Sequence, residues 1–166
     1  MLIYHPAYDA YHCVFRALLI TDSVRVLELA KLRILDFFLC FPAELRRIRL
    51  PKEHSDARSL AQGLRNQYHG PVSMRQTFRD MEHIQLAAFR TLAASRLVDT
   101  AELSSGLVRR TSKAMPQDLA QRLAEAMANN EQVVSYLTKR LAEVPLLGID
   151  GLKHRTGLME HRYDIA

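Results

Sequence analysis

Arg109, Arg110 and Lys113 lie close together in the second half of the chain, and Arg75, Arg79, Arg90 and Arg96 punctuate the stretch ahead of them. Cationic side chains at this density can neutralise phosphate oxygens, which makes Arg75, Arg79, Arg90, Arg109, Arg110 and Lys113 candidate nucleic-acid contacts. No base-reading side chain can be identified beside them, so binding of this kind would be non-specific. The competing reading leaves the same arginines solvated or paired with Asp80, Glu82 and Asp99. Arg46, Arg47 and Arg49 form a second basic group, suited to an acidic partner surface, a phosphate backbone or a plain solvated face. Tyr8 and Tyr11 near one end, and Leu158, Met159 and Tyr163 near the other, mix aromatic and apolar groups with charge as protein interfaces do. With Arg46, Arg47 and Arg49 they are the candidate partner-binding residues.

Catalysis has less to stand on. His5, Asp9, His12 and Cys13 come nearest to a metal set, but they lack a paired-histidine signature or a second ligand pair, and a capping or interfacial role suits them better. No G-x-S-x-G motif marks a nucleophile, and no glycine-rich run precedes a lysine and a hydroxyl residue to cradle phosphate. Asp99 and Glu102 flank an expected turn, where carboxylates are solvated. The expectation is a non-enzyme with no metal and no cofactor.

The composition sets the same bounds. A chain of 166 residues with 48% hydrophobic and 25% charged residues is one core's worth of ordinary globular protein. Its formal charge of +5 favours an anionic partner. Cys13 and Cys40 sit in apolar stretches without partner spacing, as buried thiols of a reducing compartment do. No signal peptide is evident, and Arg25, Glu28, Lys31, Arg33 and Asp36 interrupt the most apolar segment, so a cytoplasmic protein with no membrane partner is expected.

The elements that must position these residues are mainly helical. Tyr8, Tyr11, Val14, Phe15 and Leu18 predict a first helix from Pro6 to about Ile20. Thr21, Asp22 and Ser23 then offer N-caps for a second helix, which carries Leu27, Ala30, Ile34, Phe37, Phe38 and Phe41 and ends at Pro42. A short basic helix over 43–50, a weaker one over 55–67 and a turn at Tyr68-His69-Gly70-Pro71 follow. Ser73 and Gln76 form a capping box, and the stripe from Ile84 to Ser95 predicts a helix over 83–96. Leu97-Val98 and Leu107 to Thr111 read as two short strands joined by a polar turn at Ser104-Ser105-Gly106. Helices followed by a small hairpin predict a winged helix-turn-helix-like core over 1–114, with the hairpin as its wing. A C-terminal helical pair, split at Asn129-Asn130, occupies 115–144, and 145–166 reads as a tail with at most a short helix, ordered against a partner.

Three stretches carry a resemblance: Tyr4 to Arg16, Lys31 to Leu39 followed by Phe41-Pro42, and Arg155-Thr156-Gly157-Leu158 to Tyr163-Asp164. Together they resemble the small middle component of bacterial ABC-three-component systems, whose best-known relatives are the Lamassu anti-phage systems. The resemblance implies an accessory subunit that docks on an SMC-like ABC ATPase, restrains a nuclease-like effector and contributes to sensing foreign DNA. It implies no catalytic residue. Without it, the residues alone leave open a stand-alone winged-helix transcription regulator acting as a homodimer, with the helix over 83–96 reading DNA.

Overall fold

Short polar side chains set the start of the first helix. In the computed structural model, which describes residues 5–64 and 70–160, His5 Nδ1 accepts from the Ala7 N–H at 3.2 Å and caps a 3-10 turn over Pro6–Tyr8. Asp9 then caps helix α1 (Ala10–Ser23) by accepting from the His12 N–H at 2.9 Å, and His12 Nδ1 stands 3.0 Å from the same oxygen. Two of the residues weighed as metal ligands are thus caps, and the backbone N–H of His12 holds the Asp9 carboxyl below its ordinary range. Helix α1 continues past Ile20, so Thr21 and Ser23 bond back to the carbonyls of Ala17 and Leu19 rather than capping the next element.

Between the first two long helices the chain makes a strand, β1 (Val26–Glu28), and α2 spans Leu29–Cys40. Sequence periodicity predicts one helix through Leu27. Leu27 is buried, but as the inward residue of a strand, a position compatible with the same apolar spacing. The partner strand is β2 (Leu107–Arg109), antiparallel, in the register Val26↔Arg109, Leu27↔Val108 and Glu28↔Leu107. Val98, expected in a strand pairing with β2, adds only a single bridge to Arg110. The expected polar turn holds a short helix, α6 (Thr100–Ser104), because Asp99 accepts from the Glu102 N–H at 2.9 Å and nucleates it. Gly106, at φ 85°, lets the chain leave α6, and its carbonyl accepts from the Leu29 N–H at 2.9 Å. The fold is therefore mainly helical with a small two-stranded antiparallel sheet.

A 3-10 turn over Pro42–Arg47 replaces the expected basic helix, with Leu45 and Ile48 buried and Arg46, Arg47 and Arg49 outward. Helix α3 (Asp56–Gly63) buries Ala57 and Ala61, and residues 65–69, including the rest of that expected helix and Tyr68-His69, lie outside the described residues. Ser73 caps α4 (Met74–Asp80) by accepting from the Gln76 N–H at 3.2 Å, although the Gln76 amide bonds forward to Asp80 instead of completing the box. Helices α5 (Glu82–Ala94), α7 (Gln117–Asn129) and α8 (Glu131–Lys139) follow the predicted stripes. A short α9 (Leu152–Thr156) completes the described helices.

One hydrophobic cluster joins these elements. Phe37, Phe38, Leu32 and Ile34 of α2 sit at its centre with Leu18 and Ile20 of α1 and Phe89 and Leu92 of α5. Leu123, Val133 and Leu137 of the last long helices belong to the same cluster, as do Leu146, Leu152 and Leu158. These last three belong to the stretch 145–166 read as a tail, and they pack on the chain's own core. At Gly151 the backbone passes so close that a Cβ would stand 2.2 Å from the Leu147 carbonyl oxygen.

Candidate functional site

The site begins with a buried polar network that locks three helices together. Asp36 of α2, fully buried, accepts from Arg16 Nε of α1 at 2.7 Å and Arg16 Nη2 at 3.3 Å. It also accepts from Gln85 Nε2 of α5 at 2.8 Å, and the Cys13 thiol points at it from 3.8 Å. Gln85 Oε1 in turn accepts from Arg33 Nε at 2.9 Å, while Arg33 stacks 4.5 Å from the Phe78 ring centroid. Burial disfavours the Arg16 cation, but the adjoining Asp36 carboxylate outweighs it and raises the guanidinium's proton affinity. Burial and the same carboxylate push the Cys13 thiol up, and burial takes Cys40 up to about 11, so neither sulfur is a ready nucleophile. For Arg33, burial outweighs Glu82 and Asp36 and lowers its proton affinity.

Helices α1 and α5, held by this network and packed extensively on each other, lead into a knot of backbone and cations beside β2. Arg110 is 7% exposed, and its Nε donates to Asp22 at 2.8 Å while its Nη1 donates to the carbonyls of Leu97, Thr111 and Lys113 at 3.2, 2.9 and 3.1 Å. Expected as a nucleic-acid contact, Arg110 is instead committed inside the protein, where its buried guanidinium needs the Asp22 carboxylate and several carbonyls to satisfy its donors. Around it, Thr111 Oγ1 donates to the Arg96 carbonyl at 2.6 Å, Arg25 Nη2 donates to the Thr111 carbonyl at 3.4 Å, and Lys113 Nζ donates to the Ser95 carbonyl at 2.8 Å. Arg25, Arg96 and Lys113 are exposed, and no carboxylate among the described residues forms an ion pair with them. Arg25 was missed by sequence reasoning; its signal would have been recognition of β1.

Arg96 itself has φ 60°, the one left-handed non-glycine residue described. It closes α5 in a Schellman motif: its own N–H donates to the Ala93 carbonyl at 2.9 Å and the Leu97 N–H to the Leu92 carbonyl at 2.9 Å. That position favours glycine, since a Cβ costs energy there.

The other candidates are dispersed. Arg109 is exposed but paired with Glu102 at 2.7 Å, Arg75 approaches Glu160 at 3.9 Å, and Arg79 and Arg90 lie exposed on α4 and α5. Arg47 pairs with the buried Glu44 at 3.2 Å. Tyr8 and Tyr11 are 45% and 58% exposed, and the Tyr11 hydroxyl accepts from Arg122 of α7 at 3.1 Å. Leu158, expected at a partner surface, is 4% exposed and packs in the chain's own core, while Met159 is half-buried. The apolar groups that this region turns outward are Leu147 and Ile149. Tyr163 lies outside the described residues.

A cleft of about 950 Å3 lies between α3 and α8 and is lined by Asp56, Ser59, Ser135, Tyr136, Lys139 and Arg140 among others. Arg140 bridges Asp56 and the Glu53 carbonyl, and its hydrogen bond holds the Asp56 carboxyl below its ordinary range. The Tyr136 hydroxyl meets His54 Nδ1 at 3.0 Å. Burial raises the Tyr136 phenol and, with Arg140 nearby, lowers His54, so the two form a neutral hydrogen bond that ties the element over Lys52–His54 to α8. No activated nucleophile results from that pairing.

Nearly the whole chain, residues 2–164, matches the family model of the ABC-three component (ABC-3C) system Middle Component 5. No curated protein and no solved structure matches it. The chain belongs to the Middle Component 5 family, the assignment that its opening and closing motifs point to.

Proposed function

We propose that this middle component of an ABC-three-component system is a non-catalytic accessory subunit that docks on an SMC-like ABC ATPase, bridges it to a nuclease-like effector and assists DNA engagement in defence against phages and plasmids. Membership of the family over residues 2–164 carries the reading. A component of a multi-protein system needs partner surfaces, and exposed Tyr8 and Tyr11 beside α1, with Leu147 and Ile149 on the loop before α9, supply apolar and aromatic groups of the kind that anchor interfaces. The thiols and the Tyr136–His54 pair are held in unreactive protonation states, which fits a role without chemistry. The winged-helix reading of residues 1–114 belongs to this proposal; it draws on the helix α5 leading through the Val98–Arg110 bridge to a short sheet.

Co-expression with the neighbouring genes tests it, with the mass of the resulting complex measured in low and high salt. A salt-resistant assembly containing the ATPase is expected. A chain that elutes alone as a homodimer would overturn the reading and favour a regulator of transcription. Tyr8→Ala with Tyr11→Ala weakens co-elution while the fold survives; unchanged assembly would remove those residues from the interface.

A further inference from the structure

We infer that Arg25, Arg96 and Lys113 form a phosphate-binding edge for duplex DNA, organised by the buried Arg110. The inference rests on the proposal that the assembly engages DNA, and assigns that contact to a place. The three cations come from the approach to β1, the end of α5 and the segment after β2, and all are bonded into the backbone around Thr111. Lys113 and Arg25 rest on carbonyl oxygens rather than carboxylates, so they are held in place with their charge unneutralised. Asp22, which reaches the knot from the end of α1, is taken by Arg110.

The backbone of Arg96 adds an independent reason. A left-handed helix end exposed to solvent is a position for glycine, yet a long cation stands there at a cost to the fold. The Arg96 carbonyl accepts from the Thr111 hydroxyl, which in turn accepts from the Lys113 N–H, so this residue is fixed to the segment that carries Lys113.

The surroundings select the partner. Single strands are bound by stacking on aromatic rings, and the exposed tyrosines among the described residues, Tyr8 and Tyr11, belong to the opposite, N-terminal end of α1. Protein hot spots are built on large apolar anchors, and Val26, 38% exposed, is the only one beside the cations among the described residues. What remains is exposed cationic charge with no carboxylate paired to it among the described residues, which suits a phosphate backbone.

The test measures binding of a fluorescently labelled random-sequence duplex to the full chain, alone and in its complex, across a sodium chloride series. Arg25→Gln, Arg96→Gly and Lys113→Gln should each weaken binding and lower the slope of log affinity against log salt by about 0.9, the value for one phosphate no longer neutralised. Arg96→Gly should at the same time raise the thermal midpoint, which separates its weaker binding from any damage to the fold. Arg58→Gln, exposed on α3 away from the edge, should leave the slope as it was. Unchanged affinity and slope in the triple variant would overturn the edge while leaving DNA engagement to another face. An assembled complex that retains no duplex even at low salt would overturn both. Preference for a single strand, or capture of a glutamate-rich peptide in place of the duplex, would overturn the assignment to duplex DNA.

Discussion

Removing the Asp36 carboxylate is the most demanding test of the architecture that presents this edge. Asp36→Leu deletes two charge-assisted bonds from Arg16 and one from Gln85, leaving the guanidinium with only the Pro6 carbonyl at 3.0 Å in a setting that is 8% exposed. Breaking one side of such a pair strands the other charge without water, a cost of about 3–5 kcal/mol. Against a total stability on the order of 5–15 kcal/mol, that removes from about a fifth to all of it. Arg16→Met should cost a similar amount at neutral pH, because the carboxylate is stranded in turn. The double variant Arg16→Met with Asp36→Leu buries apolar groups where the pair stood, and Gln85 Nε2 keeps the Arg33 carbonyl at 3.1 Å. It should therefore lie within about 2 kcal/mol of the parent, since apolar replacements of buried pairs are often neutral. Urea unfolding at constant m reads all three stabilities. Additivity of the two single costs to within about 0.5 kcal/mol in the double variant would refute the argument, because independent sites behave that way.

Three further outcomes follow from particular residues. Arg96→Gly relieves a left-handed Cβ worth about 1–2 kcal/mol and offsets part of it through the freer unfolded chain. A net gain of roughly 0.5–1 kcal/mol should appear as a rise of about 2–4 °C per kcal/mol in a thermal scan, and a lower midpoint would count against the strain. Alkaline pH should destabilise the fold: Cys13, Cys40 and Tyr136 keep their protons in the folded state above their ordinary values of 9.0, 9.0 and 10.0, whereas the unfolded chain releases them. Stability is then full below pH 9 and falls above it, by up to about 1.4 kcal/mol per pH unit for each thiol, and Cys13→Ala with Cys40→Ala should flatten the first part of that fall. Gly151→Ala drives a methyl into the Leu147 carbonyl and should cost about 1–3 kcal/mol by denaturant unfolding; a neutral result would mean that the 145–151 loop shifts freely.

Much of the helical framework was legible because it is written in local periodicity. The stripes of α2, α5, α7 and α8, the stop at Pro42, the break at Asn130 and the Ser73 cap each depend on residues within a turn or two of one another. The opening and closing motifs likewise pointed to the family, since a family pattern is a property of the chain order. Local spacing says nothing of partners far along the chain. Strand β1 looked like the start of α2 because Leu27 serves either stripe, and only β2, arriving after α5 and α6, makes it a strand.

The same physics explains the misplaced charges. Charged residues in an apolar segment read as outward interruptions, yet Lys31, Arg33, Asp36, Arg16 and Arg110 are all buried. Burying a charge requires a partner from another element, and those partners stand 20 positions away for Arg16 and Asp36, 52 for Arg33 and Gln85, and 88 for Arg110 and Asp22. Composition and order therefore determined that the chain is mainly helical, basic and a middle component. Which cations hold the helices together and which face outward with their charge free was decided only when the tertiary structure brought the carboxylates and carbonyls to some of them and not to others.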